Sequence, residues 1–340
     1  MFPLLIEKLV RHEDLTTDEA AQAMREVMEG RAAPSALAGL LAALVMKGER
    51  PEEIAGLART MREHAVQLTT SPGEVFDTCG TGGDRSGTFN VSSAAAVVVA
   101  ACGVKVAKHG NRSVSSRCGS ADLFEELGVN VSAPPLVVEQ TLRDANIAFF
   151  FAPTFHPSMR HAAPIRKEMG IRTTFNLLGP LTNPAGATRQ IVGVPRPELT
   201  QVMARALMLL GAKRAWVVHG AGGIDEISTT GHTKVSECRD GAVHTFFVHP
   251  GEFGLAKANA GALRGGDAVE NAAIIRGVLE GRMGAPRDIV LFNAGAALLV
   301  AGRVSSIREG IAQAAEAIDS GSARDTLERM VRLSRAEAVA

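Results

Sequence analysis

Two short segments of this chain carry the residue types that bind phosphate groups. Residues 80–84 (GTGGD) follow the apolar run 75–79, and residues 108–116 (KHGNRSVSS) follow the apolar run 104–107. Glycine lets backbone N–H groups approach an anion because no Cβ stands in the way. Lysine, arginine and serine side chains add charged and neutral hydrogen-bond donors. Together the two segments predict a site for a polyanion.

Each segment is expected to connect a strand to a helix. Asn90 is expected to cap a helix that ends at Gly103, and Ser120 to cap a second helix that ends near Gly128. Two strand–loop–helix units in succession form a right-handed crossover, which places both loops at the carboxyl edge of a parallel sheet. At this edge the helix N-termini, with their unpaired backbone N–H groups, favour anions. The two segments are therefore predicted to face one crevice.

A glycine-rich turn alone is more often structural than ligand-binding, and GTGGD matches neither the dinucleotide fingerprint nor the Walker loop. The second segment favours binding, because so many polar residues at the mouth of a strand are not expected in a core. A third strand, over residues 215–218, leads to the adjacent acids Asp225 and Glu226. A solvated turn would also explain this pair. Beside an anion crevice, however, two carboxylates favour Mg²⁺, which takes carboxylate, phosphate and water oxygens.

The remaining chain predicts a helical N-terminal module followed by further strands and helices. Up to residue 68 we expect short helices, with a Thr16–Glu19 capping box and with Pro34 and Pro51 in first turns. Further predicted elements are a strand over 147–151, a helix over 158–169 that Gly170 ends, a helix over 197–210, a hairpin over 234–249 that turns at 239–241, and helices from about 267.

The amino-acid composition and net charge limit the classes of function that this chain could have. The 340 residues suggest about two domains, and 46% hydrophobic and 21% charged residues are ordinary for a globular protein. The 36 basic and 36 acidic residues cancel, so no overall field favours nucleic acid or an anionic membrane. No signal peptide or membrane span is evident, and a cytoplasmic location with reduced cysteines is expected. Cys79 and Cys118 flank the two loops, but no activating partner for a nucleophilic thiol can be named.

Several motifs resemble one enzyme family. They are residues 80–84, residues 90–96 (NVSSAAA), residues 108–122 (KHGNRSVSSRCGSAD), residues 156–184 and residues 222–228 (GGIDEIS). At these spacings they resemble the anthranilate phosphoribosyltransferases of tryptophan biosynthesis, which join anthranilate to phosphoribosyl diphosphate (PRPP). The resemblance covers most of the chain.

The resemblance implies an α/β protein with the nucleoside phosphorylase-like phosphoribosyltransferase fold: a small all-helical domain and a larger α/β domain with a mostly parallel sheet. The expected domains are residues 1–70, joined by about 165–183, and residues 71–340. A homodimer formed through the helical domains is also implied. The expected small-molecule partners are anthranilate and PRPP, without nucleic acid or membrane.

The resemblance also assigns site residues. For PRPP they are Gly80, Gly83, Asp84, Thr88, Asn90, Val91, Ser92, Ser93, Lys108, His109, Gly110, Asn111, Arg112, Ser113, Val114, Ser115, Ser116 and Ser120. For anthranilate they are Gly80, Asn111 and Arg166, and for Mg²⁺, two ions per subunit, they are Ser92, Asp225 and Glu226. For Arg160 and Lys167 a solvated helix face is the expected setting. No general base is assigned, because an aromatic amine is already a free base at neutral pH.

Two alternatives stay open at this stage. A pyrimidine nucleoside phosphorylase would share the architecture, but its second loop looks like KHSSGG where this chain has KHGNRS (residues 108–113). A non-enzymatic, nucleic-acid-binding relative should lose the loop motifs and carry a basic surface, and this chain does neither. Ser93 stands where threonine is common in the family, which preserves the hydroxyl.

Overall fold

The computed structural model describes residues 1–113 and 117–337. Its N-terminal part consists of the four helices α1 (Phe2–Val10), α2 (Thr17–Met28), α3 (Pro34–Lys47) and α4 (Pro51–Glu63). The Thr16 hydroxyl accepts the Glu19 backbone N–H at 3.2 Å, and Glu19 Oε2 accepts the Thr16 N–H at 2.7 Å, so the predicted capping box is confirmed. Pro34 and Pro51 begin their helices, as predicted, at positions where a missing N–H costs no hydrogen bond.

Strands and helices alternate in the rest of the described chain. In order they are β1 (Phe76–Gly80), α5 (Val91–Ala101), β2 (Val106–Gly110), α6 (Ser120–Glu126), α7 (Pro135–Ala145), β3 (Ile147–Phe151), α8 (Ala152–Phe155), α9 (Ala163–Met169), α10 (Phe175–Leu178), β4 (Arg189–Gly193), α11 (Leu199–Leu209), β5 (Arg214–Gly220), β6 (Thr233–Arg239), β7 (Ala242–Val248), α12 (Ala268–Leu279), α13 (Ala285–Val300), α14 (Ile307–Asp319) and α15 (Ser322–Ser334).

The seven strands form one sheet in the order β3-β2-β1-β4-β5-β6-β7. The first five in this order are parallel, and β6 and β7 add an antiparallel hairpin at one edge. The parallel strands are short and largely buried, as expected when helices cover both faces of a sheet. The predicted fold class, a small helical domain with a larger α/β domain around a mostly parallel sheet, is confirmed.

The β1–α5–β2 unit brings both predicted loops to one edge of the sheet, because β1 and β2 are parallel neighbours. Helix α5 lies in the core, and even Val97, Val98 and Val99 at its centre are fully buried. A helix that is apolar on all sides needs such a position. Its N-terminus is therefore a rigid support for the glycine loop that precedes it.

Strand β2 extends further than predicted at its carboxyl end. Lys108, His109 and Gly110 pair with Phe149, Phe150 and Phe151 of β3, and only 2% of Lys108 and 6% of His109 is exposed. Assigning these residues to a loop outside the core was wrong, because the strand pairing continues through Gly110. The polar loop begins only at Asn111.

Two helix starts and one whole helix also differ from the prediction. The Asn90 side chain makes no capping hydrogen bond although Asn90 precedes α5, and Gly119, not Ser120, holds the cap position of α6. The helix predicted over 158–169 is divided into a 3₁₀ helix (Pro157–His161) and α9. Pro164 explains the division, since proline lacks an N–H and fits only the first turn of a helix. Gly170, with φ of 63°, ends α9 as predicted.

Strand β4 has no counterpart among the predicted elements. Only Ile191 and Val192 give it two consecutive apolar side chains before Gly193, which is too short a pattern to indicate a strand. It nevertheless lies at the centre of the sheet, between β1 and β5. Its place is set by pairing with those two strands, which only the tertiary structure reveals.

The segment between β3 and β4 packs against the helical bundle: α9 contacts α3, and α10 contacts α4. Phe175, Leu177 and Leu178 share a hydrophobic cluster with the bundle residues Leu44 and Met61. The division into residues 1–70, joined by about 165–183, and 71–340 stays a prediction, which these contacts favour. Across residues 1–113 and 117–337, no helix combines the length and apolar character that crossing a bilayer requires.

Candidate active site

Two cavities open at the carboxyl edge of the parallel strands and share part of their walls. One, of about 570 Å³, is lined by glycines, hydroxyls and charged groups, and we call it the polar cavity. The other, of about 500 Å³, is lined by side chains such as Met61, Pro153 and Phe175, and we call it the apolar cavity. The shared wall consists of Cys79, Gly80, Thr81, His109, Gly110, Asn111 and Asn176. Ligands in the two cavities would therefore meet at the ends of β1 and β2.

The polar cavity brings together most of the residues predicted to contact PRPP. Those on its wall are Gly80, Gly83, Asp84, Thr88, Asn90, Ser92, Ser93, Lys108, His109, Gly110, Asn111, Arg112, Ser113 and Ser120. Val91 is not among the lining residues, since its side chain is fully buried in the core. Val114, Ser115 and Ser116 lie outside the described residues. The binding roles of all these residues stay predictions.

Asp225 and Glu226, the predicted metal ligands, face the two phosphate-binding elements from the loop after β5. Asp225 Oδ2 accepts the Gly82 backbone N–H at 3.2 Å, and Glu226 Oε1 accepts the Ser92 N–H at 3.1 Å in the first turn of α5. Both acids line the polar cavity together with Ser92. The three predicted metal-binding residues are thus neighbours, although Ser92 lies far from the acids in sequence.

Two glycines make this approach of Asp225 possible. A Cβ on Gly193, at the end of β4, would overlap the Asp225 carbonyl oxygen, and a Cβ on Gly80 would overlap its carboxylate. Gly193 was not predicted as a site residue, and its sequence context gives no signal, because the contact joins β4 to a loop beyond β5. Its role is to let the acidic loop lie against the sheet edge.

The acidic groups repel one another. Burial, and then the charge of Asp84, raises the pKa of Asp225 to about 7. Burial, and then the charge of Asp225, raises the pKa of Glu226 to about 8. A hard divalent cation would offset this repulsion. In residues 1–113 and 117–337, no three acidic, histidine or cysteine side chains could enclose an ion by themselves. The donor set therefore fits Mg²⁺ with substrate phosphate and water as further ligands.

The charge of Lys108 acts on a buried carboxylate, Asp77. Asp77, which is fully buried, accepts the His109 N–H at 3.3 Å and the Asn183 side-chain N–H at 2.8 Å. Burial raises the pKa of Asp77, and the charge of Lys108 opposes this rise. Lys108 also favours the charged form of Glu226. Lys108 thus lines the polar cavity while its charge acts on an internal acid and on a predicted metal ligand.

Arg112, a predicted phosphate ligand, is held by acids of the neighbouring helix. Its Nη1 donates to Asp122 at 2.9 Å and to Glu125 at 2.7 Å. The Ser113 N–H donates to the second oxygen of Asp122 at 3.0 Å. Arg112 still lines the polar cavity, but a phosphate would have to compete with two carboxylates for its guanidinium.

Arg166, the predicted carboxylate partner, lines the apolar cavity and not the polar one. Its guanidinium carbon stands 5.1 Å from the centroid of the Phe175 ring. Burial lowers its pKa, yet the arginine remains charged at neutral pH. Among the residues that the structure describes, no hydrogen bond or ion pair satisfies this half-buried cation. Arg160 is exposed and lies on the rim of the same cavity, while Lys167 is exposed.

A pair of buried histidines forms part of the apolar cavity and was missed as a site feature. The rings of His109 and His156 are 5.3 Å apart, and His109 Nδ1 lies 3.2 Å from the Gly179 carbonyl oxygen. Burial lowers the pKa of His109 to about 3 and that of His156 to about 4, so both rings are neutral at pH 7. Neither Nε2 atom has a hydrogen-bond partner in the described chain. Only the fold could reveal the pair, which joins β2 to the residue that follows α8.

The cysteines beside the loops are poor nucleophiles. Burial raises the pKa of Cys79 far above its usual value, and the Asp77 carboxylate raises it further. Burial raises the pKa of Cys118 to about 11. Because the thiolate is the reactive form, neither thiol is suited to covalent catalysis.

Both parts of the fold match domains of the glycosyl transferase family. The helical bundle domain of the glycosyl transferase family matches residues 3–65, and its a/b domain matches residues 72–324. An anthranilate phosphoribosyltransferase of Desulfatibacillum aliphaticivorans is 50% identical over 335 residues, which cover 98% of this chain and 99% of the relative. The chain belongs to the anthranilate phosphoribosyltransferase family.

Solved structures agree with this assignment. The anthranilate phosphoribosyltransferase of Thermus thermophilus is 47% identical and superposes with a TM-score of 0.91, covering 98% of this chain and 99% of that one. The Saccharomyces cerevisiae enzyme, in complex with PRPP and Mg, is 29% identical with a TM-score of 0.89, covering 98% and 97% of the two chains. Neither the phosphorylase nor the nucleic-acid-binding alternative finds support in these relatives.

Proposed function

We propose that this chain transfers the phosphoribosyl group of PRPP to the amine of anthranilate and releases diphosphate, a step of tryptophan biosynthesis. The observation that carries this proposal is the shared wall of the two cavities. A polar cavity suited to a polyanion meets an apolar cavity suited to an aromatic ring at Gly80, Asn111 and Asn176. Two ligands so placed can react as neighbours, which removes much of the entropic barrier of a bimolecular reaction.

On the donor side, the Gly83 backbone N–H and the positive end of the α5 dipole would face the phosphates, while the Gly82 and Ser92 N–H groups hold Asp225 and Glu226. Lys108 and the hydroxyls of Ser92, Ser93 and Ser120 add side-chain donors along the same wall. Breaking the bond at the anomeric carbon leaves positive charge on the ribose and negative charge on the diphosphate. Preorganised donors that face the departing group stabilise that charge separation.

Asp225, Glu226 and Ser92 would hold Mg²⁺, with two ions per subunit. When bound, the metal neutralises the diphosphate as it leaves. The raised pKa values of the two acids support this role, because buried carboxylates that repel each other favour a divalent cation. The yeast relative, which was solved with PRPP and Mg, supports the same ion for this chain.

On the acceptor side, Arg166 would bind the carboxylate of anthranilate, since its fork of N–H donors matches a carboxylate and lacks a protein partner in the described chain. Gly80 and Asn111, which belong to both cavities, would direct the amine towards the anomeric carbon. The amine is uncharged at neutral pH, and its lone pair forms the bond to the anomeric carbon as the carbon–oxygen bond to diphosphate breaks. The nitrogen, positively charged after this step, then loses one proton to water or to the released diphosphate. Because the acceptor is an aromatic amine that already carries a free lone pair, no strong base is needed to start the reaction.

The direct test is to mix the protein with anthranilate, PRPP and Mg²⁺ and to follow the loss of anthranilate fluorescence. The Thermus thermophilus enzyme serves as the positive control, and omission of PRPP as the negative one. We expect a PRPP-dependent loss of fluorescence with release of diphosphate. No loss beside an active control would refute the proposed function.

We further propose a homodimer formed through the helical bundle, as the family resemblance implies. Helices α1 and α3 pack together and expose Leu4 (71%), Val10 (68%) and Met46 (82%). Replacing Leu4 and Met46 by glutamate should produce a monomer in light scattering, while Met283→Glu, at a similarly exposed apolar residue elsewhere, should not. A dimer that survives the double change would contradict this interface. The cytoplasmic location stays a prediction from the sequence.

A further inference from the structure

Arg172 reaches from the acceptor side of the site onto the glycine turn of the donor side. It lies between α9 and α10, in the segment that also carries Arg166. Its Nη2 donates to the Gly82 carbonyl oxygen at 2.8 Å. Its Nη1 fills the space beside Gly83, where a Cβ would overlap it. The guanidinium therefore rests on both glycines of the turn, and it lines the polar cavity.

The segment that carries Arg172 is itself fixed to the helical bundle. The Thr173 N–H donates to Asn176 Oδ1 at 2.9 Å, and the Thr174 hydroxyl donates to Glu49 Oε1 at 3.0 Å. The acids Asp225 and Asp84 attract the Arg172 cation, whereas Arg196 and Arg85 repel it. Arg172 thus connects a supported segment to the glycine turn, which Asp225 holds from the opposite side.

The turn needs such a constraint. Gly82 and Gly83 both have positive φ, 65° and 76°, a region that glycine enters freely but also leaves freely. Ordering them when a diphosphate binds would cost conformational entropy. A side chain that already holds the turn in its binding shape reduces that cost.

We propose that Arg172 is a positioning residue for PRPP: it fastens the turn Gly82–Gly83 to the acceptor-side segment so that the turn, with its Gly83 backbone N–H, keeps the shape that receives a phosphate in the polar cavity. The inference rests on the proposed function and extends it.

The test compares Arg172→Ala, Arg172→Lys and the control Lys167→Ala, which removes an exposed charge from the same segment. We expect Arg172→Ala to raise both the KM for PRPP and its Kd in calorimetry about tenfold, as for the loss of one charge-assisted hydrogen bond. The KM for anthranilate and the melting temperature should change little. Arg172→Lys should restore part of the affinity, and Lys167→Ala should match the unaltered protein.

A double-mutant cycle with Gly83→Ala gives a second, independent readout. The added methyl must displace the guanidinium, so Gly83→Ala already removes the contact, and Arg172→Ala should then cost little more. Fully additive effects on the Kd for PRPP would overturn the inference. An unchanged Kd for PRPP in Arg172→Ala would also overturn it, as would equal losses of affinity for PRPP and for anthranilate. If the unaltered protein formed no phosphoribosylanthranilate, the proposed function would fail instead.

Discussion

Truncating Arg166 to alanine should impair the acceptor and leave the donor almost untouched. The guanidinium lines only the apolar cavity, stands over the Phe175 ring and has no hydrogen-bond partner within residues 1–113 and 117–337. A bound carboxylate would therefore be its main polar partner. A charge-assisted pair contributes roughly 1.5–3 kcal/mol, which corresponds to about a ten- to hundredfold fall in kcat/KM for anthranilate.

The assay is initial-rate fluorescence with anthranilate varied at saturating PRPP, and then with PRPP varied at saturating anthranilate. The KM for PRPP should stay within about twofold of that of the unaltered protein, because Arg166 does not reach the polar cavity. For Arg166→Lys, kcat/KM for anthranilate should lie between the values of the unaltered protein and of Arg166→Ala, since lysine retains the charge without the planar fork. The loss of the contact with Phe175 should lower the melting temperature only slightly, by the equivalent of about 1 kcal/mol.

Aniline, which lacks the carboxylate, distinguishes recognition from damage to the site. It should be an equally poor acceptor for the unaltered protein and for Arg166→Ala, because neither can form the pair. If the variant still preferred anthranilate over aniline as strongly as the unaltered protein does, Arg166 would not be the carboxylate partner. Asn111 and His109, on the shared wall, would then be the next residues to replace.

Three further outcomes follow from the acidic loop. Asp225→Asn combined with Glu226→Gln should reduce activity at least about a hundredfold while the protein stays folded, and near-normal turnover would exclude the metal-binding role. Because folding raises the pKa values of these acids from about 4 to about 7 and 8, the metal-free protein should lose stability as the pH rises from about 4 to about 8. The variant with Asp225→Asn and Glu226→Gln should not lose stability in this way. Mg²⁺ should restore the melting temperature of the unaltered protein but not that of the variant. If the melting temperatures of the two proteins changed in parallel across this pH range, the assignment would be contradicted. Gly193→Ala should displace the Asp225 carbonyl and weaken Mg²⁺-dependent activity. The control Gly261→Ala, whose Cβ would have its nearest neighbour at 3.3 Å, should not. Equal activities of the two variants would show that the loop tolerates the shift.

The sequence alone determined the features that depend on neighbouring residues. The Thr16–Glu19 capping box, the prolines that begin α3 and α4, and the glycine that ends α9 are local hydrogen-bond and backbone effects, and all are found as predicted. The succession of strand, loop and helix also fixed which loops share a sheet edge, because parallel crossovers have one hand. The motifs around residues 80–84 and 108–122 led from there to the enzyme family.

The tertiary structure decided what depends on contacts between distant segments. Lys108 and His109 belong to a buried strand because β3 pairs with them, and β4 exists as a strand because β1 and β5 lie on either side. Three contacts join residues that no local pattern connects: the close approach of Asp225 to Gly193, the histidine pair, and the hydrogen bond from Arg172 to Gly82. Sequence periodicity reports which face of an element is buried, but not which neighbour covers it, and for these residues the neighbour determines the chemistry.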